Sequence, residues 1–403
     1  MQSHEVELKD RLIHTFLYYA NLCKFENKVI CKDEFKTTEL YYHNFEKSVR
    51  KIAYALKETY PNILPPQNSE PVLVGVKCRS KLQTLISEFA ILALGGTFVP
   101  LSFNEPEALQ LYKIQESGVS LILTDHSISK SQQKTGLFCD ITKFKPSIFF
   151  ISEQEIYVQA KNDLAYVLFT SGSTREHPLG VMRTRSGLYL QMTRNYRNDL
   201  NISDKSVLLN LAVMTHDQAI VDCFGALLNG AAICLYDPHD LNVDDLHQFM
   251  RKYAVSIYSS TPHIFSIVFD HIPYKDYFPR LKVVTTGGEE TLIEHVALYQ
   301  KSCPDECDFF NGYGLTEDSW IASEKITKQT DLTQYHAIPF GQATESMITR
   351  LVECREEEDD EESEKVYELC VSSDTLSPGY FHNDEETNIA FFYRKWPSIL
   401  SNR

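Results

Sequence analysis

Between Leu40 and Leu56 apolar residues recur at helical spacing. Phe45, Val49, Ile52, Ala53 and Leu56 fall on one face with charged residues between them, which predicts an amphipathic helix. Short apolar runs follow. Val72 to Val76 reads as a strand, Leu82 to Leu94 as a helix, and Thr97 to Leu101 and Leu121 to Thr124 as further strands. Strand, helix, strand is the rhythm of a parallel sheet covered by helices, because parallel neighbours need a long crossover between them.

After a less regular stretch from about Ser127 to Lys161, the rhythm resumes. Ala165 to Phe169, Ser206 to Leu211, Ala232 to Tyr236, Ser256 to Ser259, Val283 to Thr286 and Asp308 to Phe310 are candidate strands. Helical segments at Ala219 to Leu228, Val243 to Lys252, Pro262 to Phe269 and Leu292 to Lys301 lie between several of them. From Ile338 onward short strands take over, at Thr349 to Glu353 and Val366 to Ser372, joined by an acidic run that reads as a solvated hairpin loop. The expected fold is α/β, with two doubly wound, mostly parallel sheets and a β-rich third piece. The expected division is 1–160, 161–335 and 336–403.

Composition narrows the function classes. The formal net charge of the 403 residues is −16, and Glu356 to Glu364 alone carries eight of the acids. Such a balance disfavours a grip on phosphate backbones, which needs clustered Lys and Arg, so nucleic acid is not expected as a partner. The longest apolar run, Phe89 to Leu101, is too short to span a bilayer and contains Gly95, Gly96 and Pro100, so no membrane partner is expected either. The N-terminus lacks the basic start and apolar core of a secretory signal. Ten cysteines without regular spacing fit buried thiols in a reducing compartment, and a cytoplasmic location is the expectation. Cys303 and Cys307 form the one close pair, with the wrong gap for a redox pair and no second pair to complete a zinc site.

Chemistry concentrates in Tyr166 to Val181, where an apolar strand runs into a loop of small hydroxyl and glycine residues. Such a loop can close around phosphate, since Ser and Thr hydroxyls and successive N–H groups turn inward and Gly172 accepts backbone angles that other residues avoid. No Gly-Lys-Ser/Thr ends it, so it is not the helix-opening phosphate loop of common nucleotidases.

This loop resembles the Thr-Ser-Gly-Ser-Thr-Gly-x-Pro-Lys-Gly-Val signature of the adenylate-forming (AMP-binding) superfamily, which includes acyl-CoA synthetases and the amino acid adenylation domains of nonribosomal peptide synthetases. Leu40-Tyr41-Tyr42, Ala90 to Leu101, Val284 to Glu289, Asn311 to Glu317, Gly341 and Leu369 to Tyr380 resemble further motifs of that superfamily, in its order. Amino-acid-activating adenylation domains and β-alanine-activating-enzyme-like proteins are the nearest in kind. The resemblance implies activation of a carboxylate by in-line attack on the α-phosphate of ATP, with magnesium, which is chemistry of positioning and electrostatics. It implies that Thr170, Ser171, Gly172, Ser173 and Thr174 hold the phosphates, Thr316 the α-phosphate, and Glu317 the magnesium ion. Tyr313 would stack on adenine, with Gly287, Gly288, Glu289, Asn311 and Gly314 beside it.

Met214 to Ala231 resembles the superfamily's substrate motif, and Phe224 to Gly230 fixes its register. In that register Asp217 takes the place where amino-acid-activating members put an aspartate for the substrate ammonium, while His216 stands where many acyl- and aryl-CoA ligases place a histidine. The pocket lining carried over by position is Val221, Val284, Thr286, Gly312, Trp320 and Ile321, with Trp320 filling volume, which implies a small amino acid.

Arg175 stands in place of a glycine of the phosphate loop, one residue is added around His177, and Leu179 replaces a lysine, with Arg175, Arg183 and Arg185 as alternative sources of positive charge. Tyr367 and Ser372-Ser373 replace later glycines. The 403 residues end ahead of the superfamily's Tyr-x-Thr-Gly-Asp motif and its C-terminal lid, so the expectation for the chain alone is slow adenylation. Three readings stay open: a small-amino-acid adenylating ligase that hands its product to a carrier protein or CoA in trans, a catalytically impaired relative that binds nucleotide, and an acyl- or aryl-CoA synthetase body.

Overall fold

The computed structural model describes residues 7–23, 25–32, 36–127, 136–144, 156–170, 177–335, 337–353 and 367–391. The acidic run and the loop residues Ser171 to Glu176 lie outside the described residues.

Helix α1 (Leu8–Leu22) precedes a hairpin of β1 (Lys28–Lys32) and β2 (Thr37–Tyr41), and α2 (Tyr42–Thr59) follows. Then come β3 (Leu73–Val76), α3 (Lys81–Ala93), β4 (Thr97–Pro100), α4 (Glu107–Ser117), β5 (Leu121–Thr124), β6 (Phe138–Asp140), β7 (Leu164–Phe169) and β8 (Gly180–Thr184). Helix α5 runs from Arg185–Leu190 through a π-helical stretch, Gln191–Tyr196, into Arg197–Leu200. The second alternation is β9 (Val207–Asn210), α6 (Asp217–Leu227), β10 (Ala232–Tyr236), α7 (Val243–Lys252), β11 (Ile257–Ser260), α8 (Pro262–Phe269), β12 (Val283–Thr286), α9 (Ile293–Ser302) and β13 (Asp308–Leu315). It ends with β14 (Asp318–Ile326), β15 (Gln342–Ala343), the pair β16 (Ile348–Glu353) and β17 (Tyr367–Ser372), and α10 (Asp384–Ala390).

A six-stranded sheet has the order β6-β5-β3-β4-β7-β8, parallel except for the β7–β8 edge pair. A nine-stranded sheet has the order β15-β14-β13-β12-β11-β9-β10-β1-β2, parallel in its middle and antiparallel at both edges. Strands β16 and β17 form a separate antiparallel pair. Sheet membership does not follow a cut near residue 160: β1 pairs in parallel with β10, while β7 and β8 complete the six-stranded sheet. The chain thus crosses between sheets more than once, and each crossing ties them together.

The main core lies between the sheets. Helices α3 and α6 are buried nearly all round, α3 even at Lys81, Thr84, Ser87 and Glu88, and Phe89 stacks on Phe224 at 4.7 Å where they meet. Phe98 and Tyr166 from the six-stranded sheet join this cluster, as do Ile233 and Leu235 from the nine-stranded one. A second core covers the opposite face of the nine-stranded sheet, where Leu246, Phe249, Phe265, Val268 and Val296 of α7, α8 and α9 meet Leu209, Tyr258 and Phe309. At the rim of the first core Lys81 is buried at 6% exposure, and its ammonium donates to Asn210 Oδ1, the Ala212 carbonyl and the Tyr236 carbonyl at 2.7–2.8 Å. One α3 cation thereby pins the first layer to the ends of β9 and β10.

Candidate nucleotide and substrate site

The carboxyl ends of β9, β11, β12 and β13 point the same way, and the loops leaving them surround a cleft of about 350 Å³. Clefts of open α/β sheets form at this end because successive loops diverge there.

The wall from β12 is a glycine turn. Thr286 ends the strand, its hydroxyl within 3.0 Å of Thr291 Oγ1, and Gly288 sits at φ +78°. A Cβ on Gly287 would stand 2.8 Å from the Gly312 carbonyl oxygen, so only glycine lets this turn approach β13 so closely. Glu289 completes the lining on this side.

Strands β13 and β14 supply the floor. Gly312, Tyr313, Gly314, Ser319 and Trp320 all line the cleft. Tyr313 packs one ring face on Phe340 with centroids 4.5 Å apart. Trp320 is 4% exposed; its indole N–H donates to Asp199 Oδ2 at 2.7 Å and its ring meets Tyr196 edge-on at 5.3 Å.

The third wall is the start of α6. Asp217 opens the helix, where the positive end of the helix dipole favours a carboxylate, and its Oδ1 accepts the Gln218 N–H at 2.9 Å. His216 Nδ1 lies 2.8 Å from the same oxygen, with the imidazole facing solvent and the carboxylate mostly covered. Hydrogen bonding to Asp217 raises the His216 pKa, the largest of several influences on it. Burial by itself pushes the Asp217 carboxyl up, but the His216 hydrogen bond and charge, together with the Gln218 N–H, bring it below the ordinary value. Asp217 is therefore an anion on the cleft wall.

Of the positions expected to line the pocket, His216, Asp217, Thr286, Gly312 and Trp320 do so. Val221, Val284 and Ile321 do not: each is at most 2% exposed and packs into the core behind the wall. Asn311 is also behind the wall, 1% exposed, where its side-chain amide donates to the Pro339 carbonyl at 2.8 Å. Ser259, Ser260 and Thr261 at the end of β11 line the cleft unanticipated. Their signal was positional, since a hydroxyl run at the carboxyl end of a parallel strand faces the same opening.

Thr316 and Glu317 form the turn between β13 and β14. The Thr316 carbonyl accepts from Arg183 at 3.1 Å, and Glu317 Oε1 accepts the Tyr380 O–H at 2.6 Å. At the end of β7, Thr170 N–H donates to the Leu179 carbonyl at 3.0 Å, and Leu179 N–H donates to Thr170 Oγ1 at 3.2 Å, closing the mouth of a loop whose Ser171, Gly172, Ser173 and Thr174 lie outside the described residues, as does Arg175. Arg183 and Arg185 are not free charges for this loop. Both guanidinia are buried: Arg183 bonds Gln191 and the Thr316 carbonyl, and Arg185 bonds the Leu92 and Gly96 carbonyls, with burial pulling the Arg185 pKa down to about 10. Among the described residues no group of three or more His, Cys, Asp or Glu is placed to hold a metal by itself. No helix among them is long and apolar enough to cross a membrane.

Residues 20–381 match the AMP-binding enzyme family. Bacitracin synthase 1 of Bacillus licheniformis is 27% identical over 315 residues, which is 76% of this chain and 6% of that protein. Gramicidin S synthase 1 of Brevibacillus brevis is 23% identical over 395 residues, which is 95% of this chain and 33% of that protein. The chain thus spans a third or less of the length of these curated relatives. The crystal structure of the nonribosomal peptide synthetase FmoA3 superposes with a TM-score of 0.77 at 20% identity, covering 94% of this chain and 39% of that one. The structure of holo-PA1221, a nonribosomal peptide synthetase protein containing adenylation and PCP domains, gives 0.75 at 22% identity, covering 94% and 62%.

Proposed function

We propose that this chain, which belongs to the AMP-binding enzyme family, activates a small amino acid by joining its carboxylate to the α-phosphate of ATP with release of pyrophosphate. The observation that carries this reading is Asp217, an anion largely covered from solvent in the wall of a cleft that also holds the glycine turn and Tyr313. A carboxylate in that setting pairs with an ammonium far more strongly than one in water, and a fatty acid offers it nothing.

The residues present suit a nucleotide. Gly288, with no atom within 4 Å of where a Cβ would stand, leaves backbone open to a flat base, and Tyr313 offers the aromatic face that Phe340 does not cover. Glu317 has one oxygen engaged by Tyr380, which leaves the other for a cation. Magnesium held there would offset the phosphate charge. Thr316 and Thr170 would contribute hydroxyls, and Asp217 would orient the amino acid so that its carboxylate faces the α-phosphate. Trp320 limits the depth of the cleft, which favours a short side chain.

The PCP domain of holo-PA1221 supports a carrier thiol, in trans or on further sequence, as the acceptor, with CoA as the other thiol of that kind. Nine free cysteines among the described residues suit a reducing compartment such as the cytosol.

The test is exchange of labelled pyrophosphate into ATP with a panel of small amino acids and their des-amino counterparts. Exchange that requires the amino group supports the reading. Exchange with the des-amino acids alone replaces it with an acyl- or aryl-CoA synthetase body, and none with any acid leaves a nucleotide-binding relative.

A further inference from the structure

Tyr380 joins two parts of the candidate nucleotide site that are far apart in sequence. The residue is 7% exposed, and its O–H donates to Glu317 Oε1 at 2.6 Å. Its backbone is fastened elsewhere. Val181 and Tyr380 form an antiparallel bridge, Met182 N–H donates to the Gly379 carbonyl at 3.1 Å, and Phe381 N–H donates to the Gly180 carbonyl at 2.7 Å. Gly180 opens β8, the strand that leaves the loop begun at Thr170.

Neighbouring residues lock the same turn. Ser377 N–H donates to the Glu317 carbonyl at 2.8 Å, and the hydroxyls of Ser373 and Thr375 donate to Asp318 Oδ2 at 2.8 and 2.7 Å. Asp318 is fully buried, and its other oxygen accepts from Gln191, which in turn accepts from Arg183. The close approach needs glycine at 379: its φ is +137°, and a Cβ there would stand 2.5 Å from Thr387 Cγ2.

We propose that Tyr380 is a positioning residue for the cation-binding carboxylate, its O–H fixing the rotation of Glu317 while its backbone ties that orientation to the strand leaving the phosphate loop. This rests on the reading of Glu317 as the magnesium ligand. A glutamate carboxylate turns almost freely about its last torsion, and that freedom is lost when a cation binds. A phenol O–H on Oε1 removes the freedom beforehand and leaves Oε2 for the metal. Partners of this kind typically change metal affinity about 10–100-fold when removed.

The experiment measures the thermal shift produced by ATP as magnesium chloride is titrated, on the wild type, Tyr380→Phe, Glu317→Gln and the double variant. Phenylalanine keeps the edge-on packing against Phe391, at 5.5 Å, so the fold should persist. Tyr380→Phe is expected to need about tenfold more magnesium for half of the shift, with the shift at saturating magnesium unchanged. In the Glu317→Gln background the second substitution should add nothing. An unchanged magnesium requirement in Tyr380→Phe, or full additivity in the double variant, overturns the proposal. Should Tyr380→Phe fail to fold, Thr387→Val serves: Thr387 Oγ1 accepts the Tyr380 N–H at 2.9 Å, so the requirement should rise in the same direction, and no rise overturns it. A wild type that magnesium and ATP do not stabilise at all removes the nucleotide reading and this role with it; a stabilised wild type with an indifferent Tyr380→Phe removes only the role.

Discussion

The Trp320 indole of β14 reaches Gly312 of β13, which the strand register pairs with Ser323, so closely that a Cβ on residue 312 would stand 2.7 Å from the ring. Glycine on one strand is what lets tryptophan lie flat under the cleft on the next. Asp199 and Tyr196 then hold the ring from below. Gly312→Ala should push the indole and destabilise the protein by about 1–3 kcal/mol, read from urea unfolding. Trp320→Ala should cost about 3–5 kcal/mol and let the cleft accept aminoacyl-adenylate analogues with larger side chains, seen as thermal shifts absent in the wild type. An unchanged ligand profile would mean that the indole does not set the depth.

The His216 and Asp217 pair gives stability a pH dependence of definite sign. His216 is raised above 6.5, so its contribution is full below 6.5 and is lost as pH rises through the raised value. Asp217 is lowered below 3.8, so its contribution is full above 3.8 and is lost as pH falls through the lowered value. Both are present between 3.8 and 6.5. Asp217→Asn should lower the unfolding free energy, read from urea unfolding, more at about pH 5 than at about pH 9, by under about 1 kcal/mol because the imidazole is solvated. Equal losses at both values would show that the pair is not ionic.

The glycine turn separates space from backbone angle. Gly288→Ala meets no neighbouring atom but must adopt φ +78°, which costs about 1–2 kcal/mol. Gly287→Ala meets a backbone oxygen at 2.8 Å, so the turn itself must move. Both variants should fold. Gly287→Ala should lose more of the ATP-induced thermal shift than Gly288→Ala, and the reverse order would place the base elsewhere.

Lys81→Met keeps length and removes the ammonium. It leaves Asn210 Oδ1 and the carbonyls of Ala212 and Tyr236 without their buried donor, so unfolding free energy should fall by at least about 2 kcal/mol. A neutral result would mean that these acceptors find water.

The parallel strands were legible because each is a short apolar run bounded by turn residues, and their helices carry the alternation; Ala232–Tyr236, Val243–Lys252 and Val283–Thr286 fall where the pattern puts them. The β1–β2 hairpin was not legible. Lys28–Lys32 is short, and its partner β10 lies some two hundred residues on, a pairing that local periodicity cannot encode. Arg183 and Arg185 read as spare charges because arginine is usually solvated, yet buried partners hold both: the Thr316 carbonyl and the Gln191 side chain for Arg183, and the Leu92 and Gly96 carbonyls for Arg185. The same limit applies to Val221, Val284 and Ile321, since position in a motif tells which strand or helix a residue occupies but not which face it shows.

On the proposed reading, Asp217 anchors a substrate ammonium beside a bound nucleotide. The most direct test is the thermal shift produced by non-hydrolysable aminoacyl-adenylate analogues on the wild type and on Asp217→Ala, because a ligand of the folded state raises its stability whether or not turnover occurs. The expected result is stabilisation by an analogue of a small amino acid that is lost in Asp217→Ala, while the shift from magnesium and ATP alone survives. Equal stabilisation of both proteins by that analogue, or none by any adenylate, would contradict it.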